Sequence, residues 1–279
     1  GKAAGVNIFN NSGSPTGTPR VIIRGIGTIN TTSNPLFVVD GVVMENFQLV
    51  NPNDIDRIEV LKDASATAIY GARGANGVIL VTTKRGHDRE GVLVSYSGFA
   101  SVGTMAKKME LLNAEEYMKV MEIGTTNASK YNPSQYPTPP VLNTSNRDLF
   151  DASGKPLYDT DWQDEATRTA FSNSHQISIQ QGGQKSSAGA FLNYSDMQGI
   201  MLNSYLKRVN AKMTYDAQAK DWLSVGMNLM INRVWGNEAE ETGGHQMPRR
   251  TMIEMIPILP VKFPDGRWSY NGDAPGYGN

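Results

Sequence analysis

The residues of this sequence that could do chemistry are few and scattered. The three histidines, His87, His175 and His245, show no paired spacing such as HExxH, so a histidine metal site is not predicted. The chain has no cysteine, which excludes disulfides, thiolate catalysis and cysteine metal sites. Asp63 and Ser65 lie close together, but no GxSxG elbow accompanies them. We therefore predict neither an enzyme nor a cofactor.

Two short segments require a choice between ligand binding and turn formation. Residues 51–56, NPNDID, place oxygen-bearing side chains close together and could hold calcium, but they lack the glycine and the distal glutamate of an EF-hand loop. A turn in which side chains cap the backbone is favoured. Gly71, Gly74 and Gly77 surround Arg73 as in a phosphate-binding loop, but no Lys-Ser or Lys-Thr follows. Turn formation is favoured here too, with Gly71 and Gly77 at backbone angles that other residues avoid.

The glycines lie in a strand–helix–strand pattern. Ile58 and Val60 alternate with charged residues, as in a half-buried strand. Asp63 has the position of an N-cap, and a helix of about two turns is predicted to follow it and to end at Gly71. The apolar run at 78–81 is predicted to be the next strand. Such a unit needs neighbouring strands to bury its sheet face.

The strings around this pattern resemble a known family. IIRGIG at 22–27, PLFVVDGVV at 35–43 and NPNDIDRIEVLKDASATAIYGARGANGVILVTTKRG at 51–86 have the order and spacing of the plug domain of TonB-dependent outer-membrane transporters. The string LKDASATAIYGARGANGVI resembles the SusC/RagA branch in particular. Members of that branch are nutrient importers of Bacteroidota that work with a surface lipoprotein of SusD type.

This resemblance implies a fold and a function. It implies a mixed α/β plug domain at 1–86, without its N-terminal part, followed at 87–279 by antiparallel transmembrane β-barrel strands with long loops. The chain would be a fragment of a plugged barrel of about 22 strands. The implied function is TonB-dependent import of oligosaccharides or oligopeptides across the outer membrane. The implied partners are a SusD-like surface lipoprotein, outer-membrane lipid, and TonB through a segment upstream of this chain.

Alternation of apolar and polar residues predicts strands after residue 90. In the clearest stretch every second residue is apolar: Leu223, Val225, Met227, Leu229 and Ile231. Similar alternation occupies 92–101, 174–181, 188–195 and 205–215. Strands of about ten residues with one apolar face are typical of a transmembrane barrel wall. A soluble β-sandwich alternates in the same way. The alternative function is therefore a soluble adhesin or glycan-binding module without transport.

A long insertion separates the first two of these stretches. Asn113 and Glu116 have the spacing of a capping box, and the helix that they begin is predicted to end at Gly124. Residues 125–146 are rich in Pro, Asn, Ser and Thr, which predicts an exposed loop. Further on, the Pro-Asp-Gly sequence at 264–266 predicts a hairpin turn.

Two sets of residues are candidates for functional contacts. The resemblance implies contact between plug and barrel wall at the arginine of the IRG string, Arg24. We add Arg73, because an arginine enclosed in a polar lumen needs a carboxylate partner. In relatives, the loops at 28–34 and 45–48 face the external ligand cavity. The substrate-binding candidates are therefore Asn30, Thr31, Thr32, Asn34, Asn46, Phe47 and Gln48. Their amides and hydroxyls suit neutral polar ligands, although ordinary surface loops explain the same residues equally well.

Composition sets outer limits on the function. The balance of 26 Lys and Arg against 27 Asp and Glu leaves no strong field that would attract nucleic acid. No run reaches the roughly 18 apolar residues of a membrane-spanning helix. From the resemblance, the expected location is the outer membrane of a Gram-negative, Bacteroidota-like cell.

Overall fold

The computed structural model of this chain describes most of its length in two compact units. The first unit contains residues 1–103, 170–199 and 203–238, and the second contains 104–169, 200–202 and 239–279. The described residues are 6–9, 14–17, 20–23, 34–44, 50–63, 67–86, 90–237, 248–273 and 277–278.

The first unit begins with short strands. Strands β1 (Val6–Phe9) and β2 (Arg20–Ile23) form an antiparallel pair. A small mixed sheet follows, made of β3 (Leu36–Val39), β4 (Val42–Met44), β5 (Ile55–Leu61) and β6 (Val78–Thr83). Its order is β4-β3-β6-β5, with β3 and β6 parallel and the other pairs antiparallel. The predicted strands around Ile58 and at 78–81 are therefore present.

Aliphatic residues hold this small sheet together. The buried members of its core are Ile23, Val39, Val50, Ile79 and Val81. In β5, Val60 packs against this core while Ile58 is 52% exposed. Because β5 lies at the edge of the sheet, only part of the predicted apolar face is covered.

The segment between β5 and β6 differs from the prediction. Residues Ala68–Gly74 form two short 3₁₀ segments separated by a break at Gly71, so the predicted end of a helix at Gly71 is present, while the helical segment that follows it up to Gly74 was not predicted. Ala64 and Ala66, which that helix would contain, lie outside the described residues. Gly71 has φ 59° and ψ −147°, angles that are essentially restricted to glycine. Gly77 has φ 92°. Both glycines therefore have the unusual angles predicted for them, in a connection short enough to favour 3₁₀ geometry.

The rest of the first unit is a five-stranded antiparallel sheet, which we call the wall sheet. Its strands are 13–16 residues long and pair in chain order. They are β7 (Gly91–Gly103), β9 (Ala170–Gly182), β10 (Ser186–Gln198), β11 (Tyr205–Lys220) and β12 (Leu223–Asn237), while β8 (Val141–Leu142) belongs to the second unit. All five strands predicted from alternation are present.

The connections between wall strands differ in length at the two ends of the sheet. Short turns at 183–185 and 221–222 lie at one end, and the chain from the small sheet enters β7 at that same end. The connections at 104–169 and 199–204 leave from the opposite end. The second unit consists of residues that follow β7, β10 and β12. It therefore contains the long connection at 104–169, part of the connection at 199–204 and the residues that follow β12.

The second unit has its own hydrophobic core. The buried members include Leu149, Phe150, Ile258, Leu259 and Phe263. Its elements are α1 (Ala114–Tyr131), α2 (Trp162–Ala166), α3 (Pro248–Glu254) and the strand pair of β8 (Val141–Leu142) with β13 (Tyr277–Gly278). No helix in the described part of the chain is long and apolar enough to cross a membrane.

Helix α1 begins where predicted and ends later. The Asn113 side chain accepts from the Glu116 backbone N–H at 2.8 Å, and the Glu116 side chain accepts from the Asn113 N–H at 3.1 Å. The capping box is therefore confirmed. The helix continues through Gly124 to Tyr131, so the predicted end at Gly124 and the predicted loop from residue 125 are wrong at this point. A glycine inside a helix costs only about 1 kcal/mol relative to alanine.

The predicted hairpin turn at 264–266 is present. The backbone N–H of Phe263 donates to the Arg267 carbonyl at 2.9 Å, and Lys262 bridges Trp268 in antiparallel fashion. Gly266 has φ 85°, which suits the turn.

Candidate functional site: the polar face of the wall sheet

In its three central strands, β9, β10 and β11, the wall sheet buries polar side chains, whereas its apolar face is exposed. Both faces of the edge strand β7 and most of the edge strand β12 are exposed. The buried side chains, each at most 6% exposed, are Ser172, Ser174, Gln176, Asn193, Asn210, Lys212 and Thr214. On the other face the side chains are 47–60% exposed: Ile177, Ile179, Leu192, Met213, Val225, Met227, Leu229 and Ile231. A soluble sandwich would bury the apolar face between its two sheets. The observed burial is the reverse of that arrangement.

One contact over the polar face joins β9 to the turn before β5. The Gln176 Nε2 donates to Asp54 Oδ1 at 2.6 Å, and the Gln176 Oε1 accepts from Asn51 Nδ2 at 3.5 Å. The Asn51 side chain also accepts from the Asn53 N–H at 3.1 Å and caps the 3₁₀ helix Pro52–Asp54. The side-chain-capped turn predicted here is confirmed. Its buried side chains, Asn51 and Asp54, form hydrogen bonds with Gln176 of the wall sheet.

Burial also changes the pKa of the carboxyl group in this contact. It raises the pKa of the Asp54 carboxyl above its ordinary value of 3.8, while the nearby Lys212 charge and the Gln176 hydrogen bond oppose the rise. Loss of water favours the neutral acid. No group of three or more His, Cys, Asp or Glu side chains in the described ranges could hold a metal ion.

Lys212 of β11 places a buried charge against the small sheet. Its side chain is 1% exposed, and its Nζ donates to Thr83 Oγ1 and to the Lys84 carbonyl. The Thr83 hydroxyl donates in turn to Asp40 Oδ2. The Nζ also lies 5.1 Å from the centre of the Phe191 ring. A buried ammonium needs such acceptors because it has lost its hydration.

Asp40 connects the small sheet to β12 as well. The Asn228 Nδ2 donates to Asp40 Oδ2 at 2.7 Å, and the Thr83 N–H donates to Asp40 Oδ1 at 2.9 Å. Asp40 has φ 47°, a left-handed angle that aspartate adopts more readily than most residues. The carboxylate therefore receives hydrogen bonds from both sheets.

The chain that leaves β6 is held directly against the wall. Arg85 forms an ion pair with Asp216 of β11, and its carbonyl accepts from the Gln180 side chain. A Cβ placed on Gly86 would lie 2.6 Å from the Ala188 nitrogen. Only glycine fits at this close approach.

Most of the predicted site residues lie outside the described part of the chain. They are Arg24, Asn30, Thr31, Thr32, Asn46, Phe47 and Gln48. Asn34 is exposed before β3, and Arg73 is exposed in the 3₁₀ helix, where it pairs with no carboxylate of the described residues. These roles stay predictions. An arginine–carboxylate contact between the sheets is made by Arg85 and Asp216.

Sequence reasoning missed the residues at the carboxyl ends of β3 and β6. Asp40 directly follows β3, and Thr83 and Lys84 end or follow β6. Because β3 and β6 are parallel neighbours, these ends meet at one edge of the small sheet. The polar residues after two adjacent apolar runs are the signal that could have identified the contact.

Comparison with known proteins matches this arrangement. Residues 1–78 match the family described as TonB-dependent Receptor Plug Domain. The chain is 32% identical to the TonB-dependent receptor SusC of Bacteroides thetaiotaomicron over 100% of its own length and 27% of that protein. It is 35% identical to the TonB-dependent receptor P3 of Formosa agariphila over 84% of its length and 21% of that protein.

A solved structure extends the match to three dimensions. The structure of the RagAB peptide transporter superposes with a TM-score of 0.77 and 25% identity, over 99% of this chain and 33% of that one. The chain belongs to the SusC/RagA type of TonB-dependent transporters. As in this family of outer-membrane β-barrel proteins, its small sheet is part of a plug and its wall sheet is part of a barrel. The predicted fold class is confirmed, while the division at residue 86 stays a prediction.

Proposed function

We propose that this SusC/RagA-type chain forms the plug and part of the wall of a transporter that imports nutrient oligomers, oligosaccharides or oligopeptides, across the outer membrane. The reversed burial of the wall sheet carries the proposal. Over β9, β10 and β11 the polar face is covered by the plug, and the apolar face is turned outward, where a bilayer would cover it. The exposed apolar face also argues against a soluble adhesin. Because the chain spans 27% and 21% of the two curated relatives, the activity of a whole transporter is part of the proposal.

The chemistry of the plug contacts supports reversible closure. The plug meets the wall through Asp54 with Gln176, through Lys212 with Thr83, and through Arg85 with Asp216. Polar groups that part in a wet lumen are rehydrated, whereas separating an apolar interface would cost about 25 cal/mol per Å². A plug held by such contacts can be displaced by a modest input of work. We assign that input to TonB.

The relatives suggest the partners. RagAB is described as a peptide transporter, and SusC and P3 are described as TonB-dependent receptors. For this chain we propose a SusD-like surface lipoprotein on the external side, TonB on the periplasmic side and lipid around the wall. Asn34 and the loop residues predicted with it are the proposed substrate contacts. No catalytic step belongs to this proposal.

Uptake by whole cells tests the function. Cells that lack the native protein should lose uptake of labelled oligosaccharides or of labelled oligopeptides when each class is offered separately. The lost uptake should also be absent from cells without TonB. The class of oligomer whose uptake is lost identifies the substrate class. Unchanged uptake of both classes in cells lacking the protein would contradict the proposal.

A further inference from the structure

The apolar face of the wall sheet ends in a belt of basic and aromatic side chains. Lys207 of β11 pairs directly with Trp235 of β12, and Arg233 lies two residues before Trp235. Side chains two apart in a strand share a face. Tyr205 and Lys207 therefore share the face of Met213, and Arg233 and Trp235 share the face of Leu229. We call Tyr205, Lys207, Arg233 and Trp235 the outer belt.

Cations and rings are close together in the outer belt. The Arg233 Cζ lies 4.9 Å from the centre of the Trp235 ring, and the Lys207 Nζ lies 6.0 Å from the centre of the Tyr205 ring. The Lys207 Nζ is also 3.1 Å from Asp196 Oδ2, on the residue paired with Lys207 in β10. Arg233 has no carboxylate partner among the described residues. Asp196 therefore balances the charge of Lys207, and Arg233 leaves the belt with a net positive charge.

The outer belt lies at the end of the sheet that carries the long connections. Tyr205 is the first residue of β11, directly after the connection at 199–204, and Trp235 is near the end of β12. Outer-membrane barrels place their short turns in the periplasm and their longer loops outside the cell. The belt thus marks the external limit of the apolar band. If the wall sheet lies in an outer membrane, as the proposed function requires, the belt meets the headgroup level of its outer leaflet, where glycolipid would present phosphate.

We propose that the outer belt binds the phosphate of an outer-leaflet glycolipid. Arg233 offers paired N–H donors that match two phosphate oxygens, and Lys207 offers a second positive charge. Long basic side chains near the end of a membrane strand extend toward the headgroups, and tryptophan and tyrosine rings favour the same level. Free phosphate has the same anionic group but no acyl chains for the adjoining apolar band. The proposal rests on the proposed function, because it requires that band to lie in the membrane.

Native mass spectrometry of the native protein in detergent tests the site. Wild-type protein should retain diphosphorylated lipid A in preference to its dephosphorylated form. The pair Lys207→Gln and Arg233→Gln should reduce that preference by roughly 5- to 30-fold, the effect of one or two basic residues at a membrane surface. Arg233→Lys should lose less of the preference than the double variant, because it keeps the charge but loses the paired donors. The matched control pair Lys107→Gln and Lys119→Gln removes the same charge from exposed sites of the second unit and should change nothing.

Three outcomes overturn the proposal: equal retention of the two lipids by wild-type protein, an undiminished preference in the double variant, or complete displacement of the lipid by millimolar inorganic phosphate. Labelling of the variant Met227→Cys separates this proposal from the proposed function. If a label there is quenched by a lipid-borne quencher while the lipids are retained equally, only the belt assignment fails. If the label is shielded from lipid, the proposed function itself fails.

Discussion

At the scale of single residues, the buried ammonium group of Lys212 links the wall sheet to the plug. We expect Lys212→Met to weaken plug docking by about 1–3 kcal/mol, because the Thr83 hydroxyl and the Lys84 carbonyl would lose a charged donor. The rate at which a protease cuts residues 84–90 in the native protein measures the loss. Lys220→Met, at the exposed end of β11, is the matched control and should change the rate little. Equal rates in the two variants would contradict the role of Lys212.

Asp54 makes the same interface sensitive to pH. Burial raises the pKa of the Asp54 carboxyl in the folded state above 3.8. At a pH between 3.8 and the raised pKa, the folded protein therefore keeps a proton on Asp54 that the unfolded chain has released. The docked plug is therefore favoured on the acid side, and its stability falls as pH rises from about 4 through the raised pKa. Asp54→Asn cannot ionise and should flatten this dependence. Midpoints of plug unfolding between about pH 4 and about pH 8 measure it. Superimposable profiles for the two proteins would refute the assignment.

At the scale of elements, the return from the 3₁₀ helix to β6 depends on two glycines. Gly71 has φ 59° and Gly77 has φ 92°, and a Cβ on Gly77 would also lie 2.8 Å from Ile23 Cδ1. Gly71→Val and Gly77→Val should each destabilise the plug by roughly 1–3 kcal/mol through backbone strain. Denaturant unfolding of the native protein measures the change.

Gly124 is the control for these glycines. It lies inside α1, and nothing lies within 4 Å of the position where its Cβ would be. Gly124→Ala should therefore stabilise the second unit by about 0.5–1 kcal/mol, since alanine is the better helix former. If all three substitutions had the same effect, backbone angle would not be what distinguishes Gly71 and Gly77.

The elements also show which parts of the structure can be predicted from the sequence. The wall strands follow from it because alternation is a local property of each strand, and the capping box of α1 follows from Asn113 and Glu116. The end of α1 could not be predicted in this way, because the helix tolerates Gly124. The free energy that this glycine costs is small compared with the stability of the helical turns on both sides of it. The contact of Asp54 with Gln176 joins residues 122 positions apart and depends on how two sheets meet. No local pattern contains that information, which is why Arg85 and Lys212 were also missed.

At the scale of the whole molecule, one sheet separates two environments. Its polar face carries the hydrogen bonds and the ion pair that hold the plug, and its apolar face is left open. Local alternation cannot decide which face is inside, because a sandwich and a barrel wall share the same pattern. The position of the plug decides it. The central claim is therefore that the odd-numbered residues of 223–231 face lipid.

Cysteine labelling along 223–231 of the native protein in a bilayer tests that claim most directly, since this chain contributes no cysteine of its own. Labels at Leu223, Val225, Met227, Leu229 and Ile231 should be quenched by a lipid-borne quencher. Labels at Ser224, Gly226 and Asn228 should escape that quencher, and cysteines there should react with a water-soluble thiol reagent where the plug leaves them open. If the odd-numbered positions were shielded from both probes, the apolar face would be packed against protein, and the transporter account would be contradicted.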